Sequence, residues 1–124
     1  MICADTNCWI AYLAGDTGQD VEILDYAIVH DAVTMAPVVL SELLSEPALE
    51  AQDEADLCAI RLMDVMPGYW ERAGKLRASL IAKRLKPKLA DVLIAQICID
   101  NDVPLITRDK DFRYFGKHAG LRLL

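Results

Sequence analysis

The chain has 124 residues, 54% of them hydrophobic, and a formal net charge of −6 at pH 7. This length and apolar content suit one core, so we expect residues 1–124 to form a single domain. The sequence shows no basic leader and no apolar run of membrane-spanning length, which predicts a cytoplasmic protein that does not enter a membrane.

The charges are unevenly distributed along the chain. Residues 1–60 contain twelve acidic residues and no Lys or Arg, so all thirteen basic residues lie from Arg61 onward. Overall acidity argues against a general nucleic-acid coat, but a local basic face beside acidic chemistry would still suit phosphate recognition. The alternative is that these basic residues only solvate long helices.

The hydrophobic spacing predicts short strands alternating with helices. In the first half we expect a strand at 1–4, helices at 6–14 and 19–29, a strand at 32–35, a helix from Pro37 to about Pro47, and a helix at about 50–62. In the second half we expect a weak strand at 64–66, a basic helix at 69–85 with Leu76, Leu80 and Ile81 inside, an apolar helix from Pro87 to about 101, a strand at 103–107, a helical turn at 109–115, and a last strand at 121–123.

This alternation predicts an α/β fold, a three-layer αβα sandwich around a short central parallel sheet. Right-handed crossovers allow the first strand and the Leu105-Ile106 strand to lie side by side at its centre. In such sheets functional groups gather beyond the carboxyl ends of the strands. Asp5 and Asp109 follow two of these ends closely.

Four acidic residues lie at or inside apolar stretches where an ionised side chain needs a partner. They are Asp5, Glu42, Asp91 and Asp109. The clearest is Asp91, in a predicted helix that is apolar on nearly every side, because burying an unpaired charge costs several kcal/mol. The predicted topology allows all four to converge on one pocket.

A cluster of carboxylates has a defined chemistry. Like charges within a few ångström disfavour joint ionisation, so without a cation at least one carboxyl should have a raised pKa. A divalent cation resolves the conflict, and oxygen ligands without Cys or His indicate Mg²⁺ or Mn²⁺. The four cysteines show no metal-ligand spacing and are expected to be free thiols, most of them buried.

Each acid also has a purely structural interpretation. Asp5 and Asp109 could be helix N-caps, worth roughly 1 kcal/mol each. Glu42 could be a solvated helix residue, although the stripe it lies on is otherwise apolar, and Asp91 could be favoured by the dipole at its helix N-terminus. The four together favour a functional site more strongly than any one does.

The order of the short motifs resembles that of a known family. The motifs Asp5-Thr6-Asn7, Ser41-Glu42-Leu43, Asp91-Val92-Leu93-Ile94-Ala95 and Thr107-Arg108-Asp109-Lys110-Asp111-Phe112 occur in this sequence. The chain is similar over its whole length to PIN domains, specifically the VapC-type toxins of toxin–antitoxin pairs. One departure is Lys86-Pro87-Lys88, where many relatives have a Gly in the loop before the helix with Asp91.

The resemblance implies a ribonuclease that uses Mg²⁺ or Mn²⁺ and is held inactive by a cognate antitoxin protein, and it favours a homodimer. By resemblance, the acidic quartet of Asp5, Glu42, Asp91 and Asp109 would be both metal ligands and catalytic residues. Asn7 and Thr107 would position them through hydrogen bonds. Asp111 competes with Asp109 for the fourth position, and Asp109 is preferred because it is closer to the strand end.

Candidate RNA-phosphate contacts lie among the basic residues of the second half. They are Arg72, Lys75, Lys86, Lys88 and Arg108.

Two other functions compete with the nuclease. A receiver domain of two-component signalling also has an acidic Mg²⁺ pocket, but its Asp and Lys-Pro motifs are misplaced here. A PIN-like module that binds protein or RNA without cutting it is the second, and intact acids at all four positions count against it.

Overall fold

The computed structural model describes residues 1–124. Its elements are, in chain order, β1 Ile2–Ala4, α1 Thr6–Leu13, α2 Gln19–Val29, β2 Val33–Thr34, α3 Pro37–Leu44, α4 Ala51–Cys58, α5 Tyr69–Ala82, α6 Leu89–Asp100, β3 Leu105–Ile106, a 3-10 turn at Lys110–Phe112, and α7 Arg113–Ala119. None of these helices combines the length and the apolar character that a bilayer crossing needs.

The three strands form one parallel sheet in the order β2-β1-β3. Cys3 of β1 is paired with Thr34 on one side and with Leu105 on the other, so β1 is the central strand. Seven helices flank this sheet, which confirms the predicted three-layer αβα sandwich. The expected pairing of the first strand with the Leu105-Ile106 strand is confirmed as well, and it brings two strand ends together at one edge.

The core lies where the apolar pattern of the sequence is densest. Helix α6 buries Val92, Ile94, Ile97 and Cys98, which explains why that segment is apolar on nearly every side. Pro37 occupies the first turn of α3, where its missing N–H costs nothing. The four cysteines are free thiols, and three of them are buried, as the sequence predicts.

The two strands predicted at 64–66 and 121–123 are not regular strands in the structure. Residues 64–66 are exposed, because the chain turns at Pro67 and Gly68 into α5, and the only pairing near there is a single bridge between Met35 and Leu62. At the C-terminus a single bridge joins Leu123 to Leu105. Too few residues lie beside the sheet at either place to form a ladder.

Two helices are shorter than the periodicity predicts. Helix α4 ends at Cys58 and α5 ends at Ala82, where Arg84 takes a left-handed conformation with φ of 65°. Ile81 is half exposed, so the inner stripe of α5 includes Leu80 but not Ile81. Apolar residues continue past these ends because they pack in the connecting segments, as Leu85 does.

Candidate functional site

Asp5 lies immediately after the central strand and is buried, with 5% of its surface exposed. Its Oδ1 accepts a hydrogen bond from the backbone N–H of Thr6 at 2.8 Å, as an N-cap of α1 does. Its Oδ2 accepts one from the Thr107 hydroxyl at 2.8 Å. The cap interpretation is therefore correct, but it accounts for only one of the two carboxylate oxygens.

Thr107 connects the ends of the two neighbouring strands. Besides donating to Asp5, its hydroxyl oxygen accepts a hydrogen bond from the backbone N–H of Asp109 at 3.0 Å. The Asp109 carboxylate in turn accepts from the backbone N–H of Asp111 at 2.9 Å and caps the 3-10 turn. One hydroxyl thus fixes the relative position of two of the predicted acids.

Glu42 reaches the same edge from α3, where its side chain is exposed. Its Oε1 accepts a hydrogen bond from the Thr6 hydroxyl at 2.7 Å. Thr6 and Thr107 therefore play similar parts, because the hydroxyl of each donates a hydrogen bond to one of the acids.

Asp91 is half-buried in the first turn of α6. Its carboxyl has no hydrogen-bond partner within the protein. Burial, together with the nearby negative charges of Asp5, Asp109 and Glu42, raises the pKa of Asp91 to about 6, and Lys88 opposes this in part. This meets the expectation that one carboxyl of the group would have a raised pKa.

The pKa of Asp5 shows the same competition. Burial raises it, the hydrogen bonds from Thr107 and Thr6 lower it, and the charges of Glu42 and Asp109 raise it, so that its net pKa is higher than usual. All four predicted acids thus lie close enough to influence one another. No Arg or Lys forms a salt bridge with any of them.

The donor set suits a hard divalent cation, since it consists of carboxylate oxygens that repel one another when ionised. The four side chains do not yet form a closed set of ligands. No group of three or more His, Cys, Asp or Glu side chains in the structure is arranged to hold a metal ion. The residues present fit such an ion in the chemistry of their oxygen donors.

The two other predicted supporting residues lie at the edge of this cluster. Asn7 accepts a hydrogen bond through its Oδ1 from the backbone N–H of Arg108 at 3.3 Å, so it contacts the loop and not an acid. Asp111 is exposed. Its charge affects the pKa of Tyr114, whereas Asp109 raises the pKa of both Asp5 and Asp91. This favours Asp109 over Asp111 as the fourth acid.

The five candidate phosphate contacts fall into two groups. Lys75, Lys86 and Lys88 are exposed and form no salt bridge, and Lys88 is close enough to lower the pKa of Asp91. Arg72 and Arg108 are paired with acids of the protein itself. Arg72 donates to Asp100 from two nitrogens at 2.6 and 3.1 Å, and Arg108 forms a similar pair with Asp20.

Three further residues belong to the site although no role was predicted for them from the sequence. Thr6 holds Glu42, Asp20 holds Arg108, and Tyr114 has a raised pKa through burial and the charges of Asp111, Asp91 and Asp109. Thr6 stands inside the Asp5-Thr6-Asn7 motif, so its hydroxyl was the available signal. Asp20 gave none, because 88 residues separate it from its partner.

The fold and the site define an α/β protein with a group of carboxylates at the carboxyl edge of a short parallel sheet. The chain belongs to the PIN domain family, whose family model matches residues 2–118. This assignment and the three-stranded sheet contradict the receiver alternative. A comparison with curated proteins finds no match.

Solved structures with similar folds include three protein complexes. VapBC2 from Rickettsia felis, bound to a DNA fragment from its promoter, has a chain with a TM-score of 0.76 and 22% identity, covering 100% of this chain and 98% of its own. For FitAcB from Neisseria gonorrhoeae the TM-score is 0.71 and the identity is 20%, and the match covers 100% of this chain and 96% of that chain. For DNA-bound VapBC from Salmonella typhimurium the TM-score is 0.70 and the identity is 18%, and the match covers 100% of this chain and 98% of that chain. At these identities the likeness establishes the fold alone.

Proposed function

We propose that this protein is a metal-dependent endoribonuclease, the VapC-type toxin of a toxin–antitoxin pair, acting as a single domain in the cytoplasm. The main support is the set of four acids at one sheet edge, none of which has a salt-bridge partner. Burial and the charges of the other three acids raise the pKa of Asp91 to about 6. By contrast, Asp20 and Asp100 are each paired with an arginine.

In this proposal Asp5, Asp91 and Asp109 hold Mg²⁺ or Mn²⁺. When bound, the ion supplies Lewis-acid polarisation of a phosphodiester and lowers the pKa of water. Glu42, which is exposed and held by Thr6, either completes the ligand set or orients the attacking water. Thr107 keeps the Asp5 and Asp109 carboxylates in register, and the exposed Lys75, Lys86 and Lys88 supply positive charge for RNA phosphates.

The test is a cleavage screen against total cellular RNA with Mg²⁺ or Mn²⁺ and a chelator control. Asp109→Asn and Asp111→Asn form a matched pair, because both change one carboxyl in the same turn. We expect cleavage by the wild type and Asp111→Asn and none by Asp109→Asn. RNA binding without metal-dependent cleavage by the wild type would instead support the non-catalytic module.

A protein partner is supported by a groove of about 530 Å³ that opens beside Glu42. Its lining combines apolar residues such as Ile10, Leu13 and Leu43 with acidic residues such as Glu46. A cationic amphipathic helix would satisfy both, and an antitoxin would close the site by lying there. Co-purification with the product of an adjacent reading frame, lost on Ile10→Glu, would test this.

The proposed homodimer is supported by exposed apolar side chains near the start of α5. Trp70 is 63% exposed, and Val65 and Met66 lie beside the same turn. Patches of this kind often mark association surfaces. The mass in solution, measured by light scattering for the wild type and Trp70→Glu, would test it, since a dimer through this surface should become a monomer.

A further inference from the structure

The guanidinium of Arg108 is paired with the segment that begins α2 and forms no salt bridge with the four acids of the site. Its Nε donates to Asp20 Oδ2 at 2.6 Å and its Nη2 donates to Asp20 Oδ1 at 3.0 Å. The same Nη2 reaches the Thr17 carbonyl oxygen at 3.3 Å. A fork-to-fork pair of this kind fixes orientation as well as distance, which a single contact does not do.

The backbone of Arg108 belongs to the site even though its side chain does not. Its N–H donates to Asn7 Oδ1, and its two neighbours are Thr107 and Asp109, which carry the hydroxyl and the carboxylate of the cluster. The loop is therefore held on one side by Asn7 and on the other by Asp20. These contacts restrain the backbone segment that carries Thr107 and Asp109.

Gly18 gives independent support for the contact between Arg108 and Asp20. A Cβ at this position would lie 2.7 Å from Asp20 Oδ1 and 3.0 Å from Arg108 Nη2, so only glycine leaves room for the pair. Its φ of 148° is also one that other residues rarely adopt. Hydrogen bonding from Arg108 lowers the pKa of Asp20, as expected for a carboxylate held in its ionised form.

We propose that Arg108 is a positioning residue, not an RNA contact: its pairing with Asp20 over Gly18 sets the loop that presents Thr107 and Asp109 to the metal. This inference rests on the proposed metal site. It replaces the assignment of Arg108 to phosphate binding, since the Nε and Nη2 donors of the guanidinium are already engaged by Asp20 and by the Thr17 carbonyl oxygen.

The first experiment measures Mn²⁺ affinity by calorimetry on RNA-free protein. Asp20→Ala removes the acceptor and leaves Arg108 charged, and Arg108→Lys keeps the charge but cannot form the two-pronged contact. We expect each to weaken Mn²⁺ binding about 10-fold, as losses of groups that orient metal ligands do. Asp25→Ala, an exposed acid of the same helix, is the control and should change nothing.

The second experiment separates this role from RNA binding. With the proposed positioning role, Asp20→Ala and Arg108→Lys lower kcat with KM for RNA unchanged, and the double variant is no worse than either alone. If Asp20→Ala instead leaves Mn²⁺ binding intact while Arg108→Ala raises KM, Arg108 contacts RNA and the proposal is wrong.

Gly18→Ala offers a route that leaves both charges in place. Its added methyl should disturb the pair and weaken Mn²⁺ binding, whereas Gly15→Ala in the same connection meets nothing within 4 Å. Equal Mn²⁺ affinities of the two would contradict the proposal.

Amide hydrogen exchange on metal-free protein gives a readout that does not depend on nuclease activity. Asp20→Ala should speed exchange at the Arg108 and Asp109 amides and leave α5 unchanged. Unchanged exchange at the Arg108 and Asp109 amides would contradict the positioning role of the Arg108–Asp20 pair. Wild-type protein that cleaves no RNA would contradict only the proposed function.

Discussion

Helix α6 carries one aspartate in its first turn and another as its last residue, and the two have opposite surroundings. Asp91 has no hydrogen-bond partner and faces three other acids, and its pKa is raised to about 6. Burial alone would raise the pKa of Asp100 too, but hydrogen bonds from Arg72 and Gln96 hold it below its ordinary value.

The helix dipole predicts the reverse order of these two pKa values. An acid at a helix N-terminus is stabilised in its charged form and one at the C-terminus is destabilised, by typically 0.3–1 kcal/mol. Here the direct neighbours outweigh the dipole at both ends. Asp100 is paired with an arginine, whereas none of the four acids at the strand edge has a salt-bridge partner. This difference is the physical basis for assigning the function to that edge.

The largest expected difference between the two ends is in cleavage. Asp91→Asn should lower the rate of RNA cleavage by more than about 100-fold, because losing a ligand costs more than losing a group that only orients one. Asp100→Asn should leave the rate within a few fold. Both rates would be measured at saturating Mn²⁺ and well below the melting temperature, and equal losses would remove the distinction between the two sites.

Stabilisation of the protein by metal should depend on Asp91 at the start of α6 and not on Asp100 at its end. At 100 times its Kd, Mn²⁺ should stabilise the wild type by about 2.7 kcal/mol, since it binds the folded state. The melting temperature should rise for the wild type and Asp100→Asn, but little for Asp91→Asn, and a chelator should reverse the rise. A similar rise for Asp91→Asn in calorimetric scans would place the ion elsewhere.

Two threonines sharpen the comparison at smaller scale. Thr107→Val removes the hydroxyl that holds Asp5 and should weaken Mn²⁺ binding by about 10-fold or more. Thr34→Val, on β2, removes a hydroxyl that donates to the Arg61 carbonyl oxygen, and should cost about 1 kcal/mol of stability with no effect on metal. Calorimetric titration and urea unfolding of both variants would show whether the two losses separate in this way.

The smallest expected effect is on pH dependence without metal. Asp91 has a higher pKa when folded than when unfolded, so the folded state binds more protons and stability falls as pH rises from about 4 through 6. Allowing for solvent screening, this penalty is about 1 to 2 kcal/mol at pH 8. Asp91→Asn should remove it, as urea unfolding at pH 4 and pH 8 would show.

Asp100 should behave in the opposite sense in the same measurement. Its folded pKa is lowered, so its contribution is present above the ordinary value and is lost as pH falls toward and below about 4. Asp100→Asn should therefore destabilise the protein more at pH 7 than at pH 3. Parallel curves of stability against pH for Asp91→Asn and Asp100→Asn would contradict the environments assigned to these two aspartates.

Much of the fold was predictable because it depends on local patterns. Apolar periodicity located six of the seven helices and the three strands, and alternation predicted the parallel sheet and its central pair. The helical turn expected at 109–115 covers the 3-10 turn and only the first residues of α7, which continues to Ala119, and α4 and α5 end earlier than expected. The strands expected at 64–66 and 121–123 were wrong because an apolar run forms an irregular segment there. A short run of this kind is the same in sequence whether or not it has a strand beside it to pair with.

The sequence by itself singled out four acids at or inside apolar stretches, and strand order was enough to expect them at one edge. Only the tertiary structure decided which cations were free, since Arg72 and Arg108 look like any surface base in sequence but are paired with Asp100 and Asp20. Those partners lie 28 and 88 residues away. Local periodicity reflects the chain's own geometry, whereas a salt bridge between distant residues exists only after folding has brought them together.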